Sequence, residues 1–229
     1  MAELGLRVQQ QSDSLAVDGT GVVTGAGDRE RALFTGDMQS KYRQWALAGR
    51  VFQGSSDTAL GLTTVENNTA LDATEPFILL DAPSSIILVP LYVKIAPAVI
   101  WETGDEVAVF TSDTAGYSAG GDDMTVTNMA AHSSVGSALR ASVLTAAKDG
   151  DAAMTSVAAT NPRTVDVHQH LTGNLAAPYV YNAINGDNPP VFIHGAGSFQ
   201  VMLARTTTTV EVLYTVIWAE LDKNALVNS

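Results

Sequence analysis

The chain has 229 residues, no cysteine and a net charge of −12, with 46% hydrophobic and 16% charged residues. The absence of cysteine excludes disulfides and thiolate metal sites, and the length is sufficient for one β-sandwich domain with a substantial core. Residues 1–50 contain six basic and six acidic residues, whereas residues 51–229 contain six basic and eighteen acidic ones. Proteins bind nucleic acid through clustered Lys and Arg. The acidic region 51–229 is therefore not expected to bind nucleic acid.

The first fifty residues are predicted to form an N-terminal arm with a short helix. Residues 1–30 are rich in Gln, Ser, Asp and Gly, a composition typical of an extended arm. Helix-forming residues then follow an acidic candidate cap and end at a glycine, which predicts a helix over 37–48. The helix residues expected to face the body of the protein are Met38, Tyr42, Trp45 and Leu47.

From Val51 onward the sequence predicts a β domain that covers residues 51–229. Short runs of β-branched and aromatic residues alternate with Gly, Pro, Asn and Asp, which favours a sandwich or jelly roll over alternating strands and helices. The predicted strands are 59–64, 76–81, 85–95, 98–101, 106–111, 164–171, 178–183, 190–194, 198–205 and 209–221. Pro90 cannot donate a ladder hydrogen bond, so its strand should lie at an edge, contain a bulge or split in two.

One long loop insertion is predicted at about 112–160, where Gly, Ala and Ser are frequent. It has a weak helical pattern over 134–147, and insertions of this length commonly form contacts between subunits. The predicted fold is therefore all-β: a jelly-roll-like antiparallel β-sandwich with an N-terminal arm, a short helix and one long loop insertion.

The closing strand, 209–221, has apolar residues on both faces, so both faces should be covered. The face expected in the sandwich core comprises Val210, Val212, Tyr214, Val216 and Trp218. The other face should be covered by the arm, by the helix or by a neighbouring subunit. The candidate interface residues are Trp45, Tyr42, Leu213, Ile217 and Leu221.

The best metal-like pattern is His168 and His170, because residues i and i+2 of a strand share a face. A third ligand could come from Asp166, His132 or His194, but none has a diagnostic spacing. A polar strand face is the alternative, and we predict no metal and no cofactor. No serine nucleophile motif or other catalytic constellation is present, so the chain is predicted not to be an enzyme.

Two runs and the closing hairpin resemble a known family in their order. The runs extend from Tyr42 to Phe52 (YRQWALAGRVF) and from Glu75 to Leu91 (EPFILLDAPSSIILVPL). Together with the hairpin they resemble the jelly-roll capsid proteins of bacteriophages and other viruses, in layout over most of the chain. The resemblance implies a virion structural protein, foremost a capsid protein, that self-assembles through symmetric subunit contacts.

The resemblance also sets the expected partners and location. The partners are copies of the chain, with other virion proteins as further candidates, and nucleic acid could be contacted through residues 1–50 only. We expect synthesis in a host cytoplasm and location in the virion, because the N-terminus lacks a signal-peptide pattern and no apolar run is long enough to span a membrane.

Alternative functions remain open. Within the virion, a spike, tail or decoration protein is possible besides a capsid protein. A carbohydrate-binding β-sandwich would use exposed aromatic residues such as Tyr117, Tyr179 and Tyr181. A cupin-like metalloenzyme would use His168 and His170.

Overall fold

The computed structural model describes residues 38–56, 63–65, 71, 76–130, 134–143, 155–156, 163–170, 176–205 and 210–223. Residues 1–37, which include the predicted arm over 1–30, and most of the predicted strand 59–64 lie outside this part. The elements, in chain order, are α1 (Met38–Leu47), β1 (Val51–Ser55), β2 (Thr63–Val65), β3 (Ile78–Ala82), β4 (Ile86–Pro97), β5 (Glu106–Ser112), β6 (Tyr117–Ala119), β7 (Asp122–Asp123), β8 (Val126–Asn128), β9 (Arg140–Val143), β10 (Thr155–Ser156), β11 (Arg163–Gln169), β12 (Tyr179–Asn182), β13 (Ile193–His194), β14 (Gly197–Ala204) and β15 (Val210–Asp222).

Two antiparallel sheets form a sandwich with the strand order of a jelly roll. The first sheet has the order β12-β4-β15-β1-β8, with β13 beside β4 and β2 beside β15. The second sheet has the order β11-β5-β14-β3-β9-β7. The eight principal strands, in chain order, are β1, β3, β4, β5, β11, β12, β14 and β15. The first of them pairs with the last, the second with the seventh, the third with the sixth and the fourth with the fifth: β1 with β15, β3 with β14, β4 with β12 and β5 with β11. This nesting of antiparallel pairs is the jelly-roll arrangement, and it confirms the predicted fold class.

The space between the two sheets is filled by large apolar side chains. Its biggest fully buried members are Phe52, Phe77, Trp101, Tyr181, Phe199 and Trp218. On β15, the predicted inward residues Val212, Tyr214, Val216 and Trp218 all belong to this core. The predicted inward face of β15 is thus confirmed at the four positions whose side chains are described.

A β-bulge in β4 follows Pro90 and exchanges the faces of the strand. The register of β4 against β15 shifts by one residue at Leu91. Before the shift, Val89 and Leu91 pack on the outer side of the first sheet, and after it Val93 packs in the core. The bulge predicted as one solution for Pro90 is confirmed, and it allows one strand to supply apolar residues to both layers.

Helix α1 covers part of the outer face of the first sheet, as a third layer. Trp45 belongs to a buried cluster there with side chains of β1, β4 and β15, and Tyr42 and Ile217 pack at the margin of this cluster. The buried members of this outer cluster are Trp45, Val51, Ile87, Val89, Leu91, Ala219 and Leu221. Of the three predicted covers for the second face of β15, the helix of the same chain is the one found over Leu221.

Two residues that were predicted to be covered are exposed, Leu47 on α1 and Leu213 on β15. Leu47 is 88% exposed, so the prediction that it faces the body is wrong. It follows Trp45 by two positions, which places it on the opposite side of a helix. Leu213 is 46% exposed on the same sheet face, beyond the part that the helix covers.

Replacing Trp45 with Ala should detach α1 while the sandwich remains folded, because Trp45 is the large buried side chain that joins the helix to the outer cluster. We expect faster protease cleavage within 38–50, measured by mass spectrometry, with the strands still protected. Leu47→Ala is the matched control on the same helix, since Leu47 is exposed. Equal cleavage rates for the two variants would show that Trp45 does not hold the helix.

The insertion between β5 and β11 closes one edge of the sandwich. Its strand β8 pairs with β1 in the first sheet, and β9 pairs with β3 in the second, while β6 and β10 form a separate two-stranded sheet. The helical pattern predicted over 134–147 is wrong for 134–143, since Arg140–Val143 is the strand β9. The free edge of β3 offers this segment a ladder of hydrogen bonds, which outweighs a weak helical preference.

Two buried carboxylates fasten the insertion to the sheets. Asp81 accepts hydrogen bonds from the backbone N–H groups of Gly116 and Tyr117, both at 2.8 Å. Glu220 accepts one from the Ala138 N–H at 2.8 Å and another from the Ser137 hydroxyl. Because charged acceptors make strong hydrogen bonds in buried surroundings, these described segments of the insertion are held firmly to the sandwich.

Three further strand predictions need correction. Residues 98–101 form a bend in which Val99 is 75% exposed. Of the predicted strand 190–194, only Ile193–His194 pairs, because the prolines before it lack an N–H. Strand β1 was not predicted since Gly54 interrupts it, but a side chain there would meet the Met124 sulfur at 2.8 Å.

Candidate functional site

The edge of the sandwich opposite the insertion is open. It consists of β11 in the second sheet and of β12 and β13 in the first. In the part of the chain that the structure describes, β11 pairs with β5 on one side and with no strand on the other. We term β11, β12 and residues 189–194 the open edge.

The open edge exposes apolar side chains from all three of its segments. Val167 on β11 is 52% exposed, Val180 on β12 is 40% exposed and Phe192 is 44% exposed. A cavity of about 440 Å³ lies between the beginning of β11 and residues 189–194. Arg163 and Asp113 form an exposed ion pair of 3.6 Å among the residues that line it. Exposed apolar side chains around a recess are typical of a binding or assembly surface.

A histidine cluster lies where β11 ends, and comprises Trp101, Asp166, His168, His170 and Tyr179. His170 stacks on Trp101 with ring centroids 4.9 Å apart, and His168 meets His170 edge-on at 4.6 Å. The Tyr179 hydroxyl donates a 2.7 Å hydrogen bond to Asp166. The cluster therefore connects the two sheets at the open edge.

Burial controls the protonation of the cluster. Burial, and then the neighbouring His168, lower the pKa of His170 below its ordinary 6.5, although Asp105 opposes the change. Burial, and then the hydrogen bond to Asp166, raise the pKa of Tyr179. Burial and the charge of Asp166 also raise the pKa of Tyr181 to about 12. The tyrosines are accordingly neutral donors at physiological pH.

A buried ion pair between Arg205 and Asp105 lies next to the histidine cluster. Arg205 Nε lies 3.2 Å from Asp105 Oδ2, and both side chains are less than one tenth exposed. The Glu102 N–H also donates to this carboxylate, at 2.7 Å. The backbone of His170 donates to the Asp105 carbonyl at 2.9 Å and accepts from the Gly104 N–H at 2.8 Å. These bonds fix the β4–β5 loop against the end of β11.

The side chains of the cluster are not arranged as a metal centre in the described part of the chain. No three His, Asp or Glu side chains there are arranged to hold an ion. His170 is buried against Trp101, and Asp166 is already bound by Tyr179. Of the other candidate ligands, His194 lies on β13 beside the cavity, and His132 is outside the described residues. The absence of a metal remains a prediction.

The histidine cluster predicts a loss of stability in mild acid. A histidine with a lower pKa in the folded chain than in the unfolded chain binds its proton more readily after unfolding. The contribution of His170 is therefore fully present above its unfolded pKa of about 6.5 and decreases as the pH falls below that value. We expect the free energy of unfolding, measured by denaturant titration, to decrease between pH 7 and pH 5.5.

Two variants isolate this effect. His170→Phe keeps a ring against Trp101 but cannot titrate, so its stability should depend less on pH over the same interval. His194→Phe changes an exposed histidine and should retain the wild-type dependence. An unchanged pH profile in His170→Phe would rule out His170 as the source.

The structure brings four of the five predicted interface residues together, within one chain. Tyr42, Trp45, Ile217 and Leu221 meet in the outer cluster under α1, whereas Leu213 remains exposed. The exposed apolar residues of the open edge were not predicted. The sequence predicted a strand over 164–171, but its position at an edge depends on the strand order.

The aromatic residues named for carbohydrate binding are not exposed. Tyr179 and Tyr181 are 4% and 0% exposed and belong to the sandwich core, and Tyr117 packs against it. All three tryptophans are buried as well. The prediction that Tyr179 and Tyr181 are exposed is wrong, because the alternation of β12 turns both side chains inward, whereas Tyr117 is half-buried.

Comparisons with models of protein families, with curated proteins and with solved structures find no match for this chain. Nothing in the described residues forms a helix of the length and apolarity needed to cross a membrane.

Proposed function

We propose that this protein is a virion structural protein, specifically a capsid subunit that self-assembles through symmetric contacts between copies. The observation that carries the proposal is a jelly-roll sandwich with a filled interior, one edge closed by its own insertion and one edge to which the described residues add no further strand. The step from fold to function is an analogy, because jelly rolls serve as capsid domains, lectins and cupins.

The filled interior favours a structural role over a cupin-like enzyme. A cupin-like site needs inward ligands around a space that admits substrate. Here the interior is occupied by Phe52, Trp101, Phe199 and Trp218, all at most 1% exposed. The candidate ligand pair lies at the end of an edge strand, where His170 is buried against Trp101 and no substrate space adjoins the pair among the described residues.

The surface composition supports assembly. Only 16% of the residues are charged, which is low for a chain that must solvate its whole surface alone. The described part retains exposed apolar residues at the open edge and at Leu213. Symmetric contacts that bury such residues would each remove about 1,200–2,000 Å² from water.

The acidic charge makes the proposed assembly sensitive to salt. Residues 51–229 carry eighteen acidic and six basic residues, so neighbouring subunits repel one another at low ionic strength. We expect the mass of the purified protein, measured by size-exclusion chromatography with light scattering, to exceed that of a monomer and to increase with salt. A monomeric mass at high concentration in every salt would refute the proposal.

A further inference from the structure

The direction of the backbone hydrogen bonds on β11 defines which of its groups are free to pair. The N–H of His170 donates to Asp105 and its carbonyl accepts from Gly104, on the β5 side. Because these groups alternate in direction along an antiparallel strand, the backbone N–H and carbonyl groups of His168 and Asp166 also point toward β5. Val167 therefore directs its N–H and carbonyl away from the sheet.

This outward row is suited to accept another strand. No backbone hydrogen bond joins Val167 to any described residue beyond the edge, and β11 is seven residues long. A strand edge with unpaired N–H and carbonyl groups is a template for pairing with a second chain.

The side chains of β11 are complementary to themselves. Asp166 and His168 lie opposite the core residues Val109 and Val107, so both are on the inward face. Val167 lies between them on the outer face and is half exposed. A second copy of β11 can run antiparallel to the first, with the two Val167 residues opposite each other. Asp166 of each copy then lies opposite His168 of the other.

We propose that two copies of this chain pair through β11, antiparallel, about a two-fold axis at Val167. The two Val167 residues exchange both backbone hydrogen bonds. Asp166 of each copy lies opposite His168 of the other, in the pairs without backbone bonds, where side chains approach most closely. Val165 is the bulged residue in the pairing of β11 with β5, so the regular pairing between copies covers residues 166–168.

The neighbouring two-fold registers are less favourable. Centring the axis on Asp166 places two carboxylates directly opposite each other, and centring it on His168 places two imidazoles opposite each other, so neither arrangement offers a complementary side-chain pair. Inward-facing charges at an edge discourage non-specific pairing. In the register at Val167 each carboxylate lies opposite an imidazole, which can donate a hydrogen bond to it, so these side chains select one arrangement over the others.

This inference rests on the proposed function, since it names one contact by which the subunits assemble. A pairing of three residues on each strand is smaller than a standard interface. It therefore forms one element of a larger contact that includes other parts of the open edge. The pairing makes the second sheet continuous across the axis.

Single cysteines test the register, because the chain contains none. In the proposed pair, residues 167 of the two copies have Cα atoms about 5.5 Å apart, which is within the disulfide range. Residues 169 are about 13 Å apart along the strand direction, beyond that range. On mild oxidation, Val167→Cys should form covalent dimers on a non-reducing gel, and the control Gln169→Cys should not.

A proline variant tests the backbone pairing. Val167→Pro removes an N–H that points away from β5, a position where an edge strand tolerates proline. Its thermal unfolding should remain close to wild type, while its association should weaken at least tenfold. Val167→Thr retains the N–H and should associate like wild type.

The outcomes separate this inference from the proposed function. If the wild-type protein assembles but the variant Val167→Cys forms no cross-links, the β11 pairing alone is overturned. The same holds if Val167→Pro assembles normally. Cross-linked dimers that never form larger assemblies support the pairing and refute the capsid role. A strictly monomeric chain overturns both.

Discussion

Replacing Arg205 with Met is expected to lower the free energy of unfolding by about 3–5 kcal/mol, because it leaves a buried carboxylate without its cation. Asp105 is fully buried, and the Arg205 Nε lies 3.2 Å from its Oδ2 atom. The loop that carries Asp105 is also bonded to His170. The loss should therefore loosen the histidine cluster as well as the sandwich.

Denaturant titration at pH 7 measures this effect, and the chain contains a matched control. Arg163→Met removes the cation from an exposed ion pair, whose side chains are 73% and 55% exposed, and should change stability by at most about 1 kcal/mol. The double change of Arg205→Met with Asp105→Leu should recover part of the loss, since no charge remains buried. Equal effects for Arg205→Met and Arg163→Met would contradict the assignment of a buried ion pair.

Replacing Trp218 with Ala should cost about 3–5 kcal/mol of unfolding free energy, the usual range for truncating a buried tryptophan. Trp218 is fully buried in β15, the central strand of the first sheet, and stacks near Phe52 at 6.3 Å. Its indole N–H also donates to Glu220 at 3.0 Å. The substitution thus opens a cavity and removes one hydrogen bond from the carboxylate that fastens the insertion.

The variant Trp218→Phe divides these two contributions. It retains an aromatic ring in the core but lacks the N–H, so it should lose markedly less stability than Trp218→Ala in the same denaturant titration. If Trp218→Ala were as stable as wild type, β15 could not be the central strand of a packed sandwich.

The sequence predicted the elements whose local pattern and environment agree. Helix α1 lies within one residue of the predicted 37–48, because a cap, helix formers and a closing glycine all indicate the same span. The inward face of β15 followed from its alternation. At Pro90 the sequence indicated an irregularity, but it could not choose between an edge and a bulge, since that depends on which strand lies opposite.

The sequence could not predict features that depend on distant partners. Strand β9 has weak local preference and forms because β3 offers a free edge. The buried pair of Asp105 and Arg205 joins residues from different loops, and no spacing rule connects them. Likewise, the open edge exists because the insertion closes the other side, which only the strand order reveals.

Electron microscopy of the purified full-length protein in negative stain tests the central claim most directly. A jelly-roll capsid subunit should form closed particles of uniform diameter, or rings that are fragments of them, at the salt concentration where light scattering shows assembly. A field of isolated monomers at that concentration would contradict the account.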